Sequence, residues 1–252
     1  LGWHHLLGLL ALSVGAIAST HDYHFGRFLF EVFPEGLEFP EHPEPPPCED
    51  LPLAEVQAFS IDDISTTEID DAFSVTRRPG GGWRIGVHIA APALGLSPGD
   101  AVDAIARARM STVYMPGRKI TMLPPDVVDR FTLAEGHVPP ALSLYLDVDA
   151  SLAIQGMETR LERVPIAANL RLHALEPFFN EETLQEALPE DLPWREELKL
   201  LWELATVLEA GRGKASVTPN QIDYLFHVDW ERVTEDGPGW VSITPRPRGA
   251  PI

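Results

Sequence analysis

The length, composition and charge of the chain limit what it can be. With 252 residues, 44% of them hydrophobic, the chain can bury a full core and is not a disordered tail. Its formal net charge of -19 at pH 7 opposes general attraction to phosphate backbones, so contact with a nucleic acid would require a local positive surface or a metal ion. The single cysteine, Cys48, excludes an internal disulfide and a cysteine-based zinc site, and it fits a reducing compartment.

The first part of the chain is apolar and then aromatic. Residues 6–18 (LLGLLALSVGAIA) predict a helix in a small N-terminal helical domain, with a buried face made of Leu6, Leu9, Leu10, Leu12 and Val14. A secretory signal is the alternative for this segment, although residues 1–5 supply no Met, Lys or Arg. The segment is too short to span a bilayer. Residues 21–33 predict a second, aromatic-rich helix, so we expect a helical segment over residues 1–33, which could be part of a helix-turn-helix domain.

The composition changes between residues 34 and 55. This stretch is acidic, contains no Lys or Arg and includes the run Pro45-Pro46-Pro47. Such a composition extends the backbone and does not build a core. The sequence therefore predicts a linker over residues 34–55 and a folded domain over residues 56–252.

The folded domain alternates between strand and helix patterns. The clearest hairpin joins residues 72–75 to residues 83–90 through a Pro-Gly-Gly-Gly turn, and apolar residues alternate along the second arm. The remaining elements are predicted helices at 101–110 and 194–210 and predicted strands at 142–149, 156–165, 222–229 and 240–244. These elements predict an α+β fold with an antiparallel or mixed sheet packed against helices.

Five carboxylates lie within ten residues, and this cluster is the strongest chemical signal in the sequence: Asp62, Asp63, Glu68, Asp70 and Asp71. Like charges this close either share protons or bind a hard cation. We expect one Asp at the end of an extended segment and an Asp pair at the start of the next, a layout that can hold two magnesium ions. The alternative is a solvated acidic turn. An EF-hand is excluded because the spacing lacks its central glycine and terminal glutamate.

Residues 104–125 form a cationic segment without a single acidic residue, and Tyr114 lies in its middle. Single-stranded nucleic acid binds to such segments because phosphates pair with Arg and bases stack on aromatic rings. The alternative is an ordinary helix face and loop with Tyr114 in the core. His88, on the predicted hairpin, is expected in the core or behind the acidic cluster.

Several of these motifs together resemble the RNB catalytic domain of the ribonuclease II and ribonuclease R family. The resemblance rests on Ser60-Ile61-Asp62, Glu68 to Ala72, Gly86 to Ala90, Val113 to Arg118 and Met122-Leu123-Pro124. It covers roughly residues 56 to 252 and is strong to about residue 150. The predicted fold is therefore an RNB-type mixed sheet packed with helices and preceded by the helical N-terminal segment.

The resemblance implies a site and an activity. It implies that Asp62, Glu68, Asp70 and Asp71 are direct or water-mediated ligands of two Mg²⁺ ions, with Asp70 and Asp71 as the catalytic pair, and that Tyr114 stacks on the terminal nucleotide. The family commonly has Asp where this chain has Glu68. The implied activity is processive 3′-to-5′ hydrolysis of single-stranded RNA to nucleoside 5′-monophosphates.

The resemblance also implies what lies outside residues 1–252. Family members carry N-terminal cold-shock barrels, which are not recognisable here, and continue with helices, a catalytic arginine and a C-terminal RNA-binding barrel. We therefore expect the chain to be a fragment, or one of two pieces that associate, with the remaining C-terminal half of the protein as a partner. We expect a cytoplasmic protein that binds single-stranded RNA and no membrane. Two alternatives stay open: a catalytically silent RNB-like RNA-binding or regulatory protein, and a calcium-binding or secreted module.

Overall fold

A computed structural model of the protein describes residues 3–17, 19–64, 66–115, 117–179, 188–211, 222–234 and 237–247. The described helices are α1 Trp3–Ser13, α2 Thr20–Val32, α3 Ala101–Arg109, α4 Pro125–Phe131, α5 Leu172–Leu175 and α6 Arg195–Gly211. The described strands are β1 Ala58–Asp62, β2 Asp71–Arg77, β3 Trp83–Ala90, β4 Val113–Met115, β5 Arg118–Ile120, β6 Pro140–Val148, β7 Ile154–Arg163, β8 Ile166–Arg171, β9 Ile222–Thr234 and β10 Gly237–Pro247.

Six of the strands form one mixed sheet in the order β7-β6-β3-β2-β1-β8. All neighbouring pairs are antiparallel except β1 and β8, which run parallel. The β4–β5 and β9–β10 pairs form separate two-stranded hairpins. The predicted α+β class with a mixed sheet is therefore confirmed, and the predicted helices and strands of the folded domain all occur within a few residues of their expected bounds.

The β2–β3 hairpin shows why this sheet forms. Ile85 is buried on one face, and its cross-strand partner Val75 packs on the same side. Gly82 closes the turn with a φ of 76°, a left-handed conformation that favours glycine. A Cβ at this position would lie 2.1 Å from the backbone oxygen of Val148, so close approach of the chain also requires glycine.

The core lies on both faces of the sheet. On one face, Phe59 and Ile85 pack against the buried leucines of α6: Leu198, Leu200, Leu201 and Leu204. On the other face, Ala58 and Ala72 pack with Ile69, Leu133 and Val164. Because successive residues of a strand point to opposite faces, the neighbours Ala58 and Phe59 join the sheet to both clusters.

The described residues divide into two compact units. One contains α1, α2, the β4–β5 hairpin and most of the β9–β10 hairpin, while the other contains the six-stranded sheet with α4, α5 and α6. In the part of the chain that the structure describes, no helix combines the length and the apolar character needed to cross a bilayer.

The two N-terminal helices correct one expectation. Helix α1 packs on α2 through Gly8, where a Cβ would lie 3.1 Å from the ring of Tyr23. The expected buried face is wrong, because Leu6, Leu9, Leu10 and Val14 are all exposed; the side chain of Leu12 lies outside the described ones. The physical reason is that a glycine, and not a leucine, makes the close contact between the helices.

Candidate functional site

The five carboxylates lie where β1 ends and β2 begins. Strand β1 ends at Asp62 and β2 starts at Asp71, which is the layout expected from the sequence. The two strands pair antiparallel with Phe59 opposite Phe73, so three further residues along each strand bring position 62 towards position 70. We call residues 62–71 the acidic loop.

The carboxylates of the acidic loop act on one another electrostatically. The side chains of Asp70 and Asp71 are both exposed, but part of each carboxyl group is removed from water. This partial desolvation raises the pKa of Asp70, and the negative charges of Glu68, Asp71 and Asp62 raise it further. The pKa of Asp71 is raised in the same way, first by partial desolvation and then by the charge of Asp62. Because the charges act on one another in this way, the four side chains form a single electrostatic cluster at the ends of β1 and β2.

Asp62 is held by a hydrogen bond from a buried neighbour on its own strand. The buried hydroxyl of Ser60 donates a hydrogen bond of 2.5 Å to its Oδ2. Burial is the largest effect on its carboxyl group and raises its pKa, while the Ser60 hydrogen bond and the positive charge of Arg171 lower it. Ser60 in turn accepts a hydrogen bond of 2.8 Å from Nδ2 of Asn169 on β8.

The second half of the acidic loop is fixed through the backbone of Ile69. The Oγ1 atom of Thr132 accepts a hydrogen bond of 2.7 Å from the Ile69 N–H, and the Leu133 N–H donates one of 2.9 Å to the Ile69 carbonyl. The side chain of Ile69 is buried in the core. Because Ile69 lies between Glu68 and Asp70, these contacts set where both carboxylates can point.

The described residues do not form a complete metal-binding site. Among them, no three or more His, Cys, Asp or Glu side chains are arranged to hold a metal ion. The donors of the acidic loop are nevertheless all carboxylate oxygens, which hard cations such as Mg²⁺ prefer. The repulsion that raises the pKa of Asp70 is also the effect that a bound cation would relieve. In donor chemistry, Asp62, Glu68, Asp70 and Asp71 therefore fit Mg²⁺.

Tyr114 belongs to the compact unit that contains α1 and α2, whereas the acidic loop belongs to the unit with the six-stranded sheet. It lies on strand β4, opposite Lys119 of β5. Its side chain is 71% exposed, so the alternative that placed it in the core is wrong. In the same unit, Arg109 donates hydrogen bonds to the carbonyls of Thr121 and Leu37, at 2.7 Å and 2.8 Å, and covers the ring of Phe39. The guanidinium of Arg109 therefore makes contacts within the protein itself.

His88 is a core residue, as the sequence predicted. Its ring is fully buried, 2.8 Å from the hydroxyl of Ser143 and 2.9 Å from that of Ser74. Burial lowers its pKa to about 4, so the ring is neutral at pH 7. Gly86 leaves the space for this ring, because a Cβ there would lie 2.6 Å from its Nε2 atom.

The residues that support the acidic loop were not predicted. Thr132, Asn169 and Arg171 reach the loop from positions far along the chain, and no local sequence pattern marks them. Asn169 and Arg171 could have been found only by predicting that strand β8 pairs with β1. That parallel pairing brings Asn169 next to Ser60 and Arg171 next to Asp62.

The chain is similar to known proteins in both sequence and fold. The family profile of the RNB domain matches residues 51–238. The chain is 30% identical over 202 residues to Exoribonuclease 2 of Vibrio vulnificus (strain YJ016), an alignment that covers 77% of this chain and 30% of that protein.

Two solved structures share the fold. RNase R of Mycoplasma genitalium, in complex with ribose-methylated single-stranded RNA, superposes with a TM-score of 0.62 at 16% identity over 79% of this chain and 30% of the other. Yeast Ssd1, described as a pseudonuclease, superposes with a TM-score of 0.56 at 23% identity over 74% of this chain and 22% of the other.

The fold and the site together define an α+β protein with a cluster of carboxylates at the ends of two adjacent strands of a mixed sheet. Since the RNB profile covers well over half of the sequence, the chain belongs to the RNB domain family. This membership confirms the resemblance to the ribonuclease II and ribonuclease R family. The chain spans about 30% of the length of the Vibrio relative that it matches.

Proposed function

We propose that the protein is an exoribonuclease that hydrolyses single-stranded RNA processively from the 3′ end and releases nucleoside 5′-monophosphates. The observation that carries this proposal is the cluster of four carboxylates, Asp62, Glu68, Asp70 and Asp71, whose charges act on one another in a chain of the RNB family. Keeping four negative charges this close is costly even with Arg171 nearby, and a role in holding divalent cations accounts for it.

The proposed roles follow from the position of each carboxylate. Asp62, Glu68, Asp70 and Asp71 would together hold two Mg²⁺ ions, with Asp70 and Asp71 as the catalytic pair. Bound Mg²⁺ supplies an activated water and stabilises the negative charge that develops on the phosphate oxygens. The protein itself contributes the fixed geometry of the loop, through the Ser60 hydroxyl on Asp62 and the Thr132 contacts on Ile69.

Tyr114 is the proposed contact to the 3′-terminal nucleotide. Its exposed ring offers a face on which a base or sugar can stack, and base stacking on an aromatic ring contributes about 1–3 kcal/mol. In the same proposal, the substrate is single-stranded RNA because stacking requires unpaired bases. We also propose a cytoplasmic location, in keeping with the single buried cysteine, Cys48.

The test is product analysis on 5′-labelled single-stranded RNA, with Mg²⁺ and with EDTA. A 3′-to-5′ exonuclease shortens the labelled strand from its unlabelled end and releases mononucleotides only when Mg²⁺ is present. Internal cleavage products, or release that EDTA does not stop, would contradict the proposal. Release of labelled mononucleotide at the start of the reaction would reverse the proposed direction.

A second candidate is a catalytically silent RNB-like protein that binds RNA. The fold similarity to Ssd1, described as a pseudonuclease, favours this candidate. So does Glu68, whose side chain is one methylene longer than the Asp expected at this position. The same assay separates the two functions, because a silent member would bind the RNA and leave it intact in Mg²⁺.

A further inference from the structure

We infer that Arg171 is a positioning residue that holds the acidic loop in shape for cation binding. This inference rests on the proposed function and adds to it a residue from strand β8. Arg171 acts on the loop through backbone carbonyls and through its charge, so the role assigned to it is to position the loop and not to bind the cation itself.

The contacts of Arg171 are specific. It is the last residue of β8, and the parallel pairing of β8 with β1 sets it directly beside Asp62. Its Nη1 atom donates hydrogen bonds to two carbonyl oxygens of the acidic loop, that of Asp63 at 3.0 Å and that of Thr66 at 3.2 Å. The Thr66 N–H also donates to the Asp63 carbonyl at 3.0 Å, so one guanidinium fastens both ends of this turn.

An arginine suits this position for two physical reasons. Its planar guanidinium presents several N–H donors in a rigid arrangement and stays charged at every relevant pH. The acidic loop also needs a positive charge from elsewhere, because residues 51–76 contain no Lys or Arg. Arg171 supplies one from the neighbouring strand, and its charge acts on Asp62.

Strand β8 supports the loop at a second point as well. Asn169 lies two residues before Arg171, so both side chains project from the same face of the strand. Its Nδ2 atom donates to Ser60, which donates to Asp62. The first half of the acidic loop is thus held from β8, while the second half is held by Thr132 through Ile69. Loss of Arg171 frees the turn between these two anchors.

The experiment compares two arginine variants in the purified protein. Arg171→Met removes the charge and both hydrogen bonds, and Arg163→Met is the matched control. The Nε of Arg163 donates to the carbonyl of Leu51 at 3.3 Å, so the control also loses an arginine–carbonyl contact of the same sheet, away from the acidic loop. The readouts are kcat and KM on single-stranded RNA, thermal unfolding, and Mn²⁺ affinity by calorimetry as a probe of the cation site.

We expect Arg171→Met to lower kcat and Mn²⁺ affinity by about 10-fold or more each, the usual effect of removing a residue that orients metal ligands. KM should stay within about twofold, because the RNA contacts are untouched. Arg171→Lys should recover part of both losses, since an ammonium keeps the charge and can donate to one carbonyl. Arg163→Met should match the wild type in kcat and Mn²⁺ affinity.

Wild-type kcat and Mn²⁺ affinity in Arg171→Met would overturn the inference, and so would equal losses in Arg163→Met. If Arg171→Met does not fold, Arg171→Lys decides: a folded variant with a partial loss of Mn²⁺ affinity and kcat supports the positioning role, and wild-type values of both overturn it. If the wild-type protein binds Mn²⁺ but releases no nucleotide, the proposed function is wrong. The role of Arg171 is tested even then, because the Mn²⁺ affinities of the variants and the wild type can be compared without turnover.

Discussion

Replacing Thr132 with valine tests how the acidic loop is anchored. The change keeps the shape of the side chain but removes the oxygen that accepts the 2.7 Å hydrogen bond from the Ile69 N–H. Ile69 is 3% exposed, so its N–H cannot be satisfied easily by bulk water. An unsatisfied buried donor costs about 1–3 kcal/mol, and we expect the free energy of unfolding to fall by that amount.

The assay is urea unfolding of Thr132→Val, with Thr206→Val as the matched control. The Thr206 hydroxyl donates to the Trp202 carbonyl at 2.9 Å on the exposed side of α6, where water can replace the lost partner. The control should change stability by no more than about 0.5 kcal/mol. Equal stability of Thr132→Val and the wild type would refute the idea that this hydroxyl anchors the loop.

Two further predictions concern His88 and Tyr114. The unfolded His88 ring takes up a proton near pH 6.5, but the buried ring does so only near pH 4, so stability should fall by up to about 3 kcal/mol as the pH drops through that window. Thermal unfolding of His88→Gln should show a weaker pH dependence between these values; an unchanged slope would contradict the burial argument. Tyr114→Ala should raise KM for single-stranded RNA roughly 5- to 100-fold, the loss of one stacking contact, and leave Mn²⁺ affinity unchanged. Unaltered KM in that variant would exclude a stacking role.

The sheet was predictable where local patterns are strong. Strand β3 alternates apolar and polar residues and follows a glycine-rich turn, so its predicted bounds, 83–90, match the structure. The acidic loop was predictable because five carboxylates in ten residues are visible without any knowledge of the fold. The layout around it, an Asp at a strand end and an Asp pair at the next strand start, also followed from these residues.

The support of the loop was not predictable, because it depends on contacts between distant residues. Ile69 and Thr132 lie 63 positions apart, and Ser60 and Asn169 lie 109 positions apart. Neither residue of such a pair has a local signature, and strand β8 itself is too short and mixed to stand out. The exposed leucines of α1 were mispredicted for a related reason. When a helix is apolar on most sides, its sequence does not show which face packs against the rest of the protein.

Turnover of single-stranded RNA by Asp70→Asn, with RNA affinity measured on the same preparation, tests whether the acidic loop is the catalytic site. The substitution removes one charge from the carboxylate cluster and nearly keeps the shape of the side chain. Loss of a cation ligand forfeits several kcal/mol of charge stabilisation, so turnover should fall by roughly 100-fold or more. RNA affinity should remain that of the wild type. Wild-type turnover by Asp70→Asn would contradict the account of the acidic loop as the catalytic site.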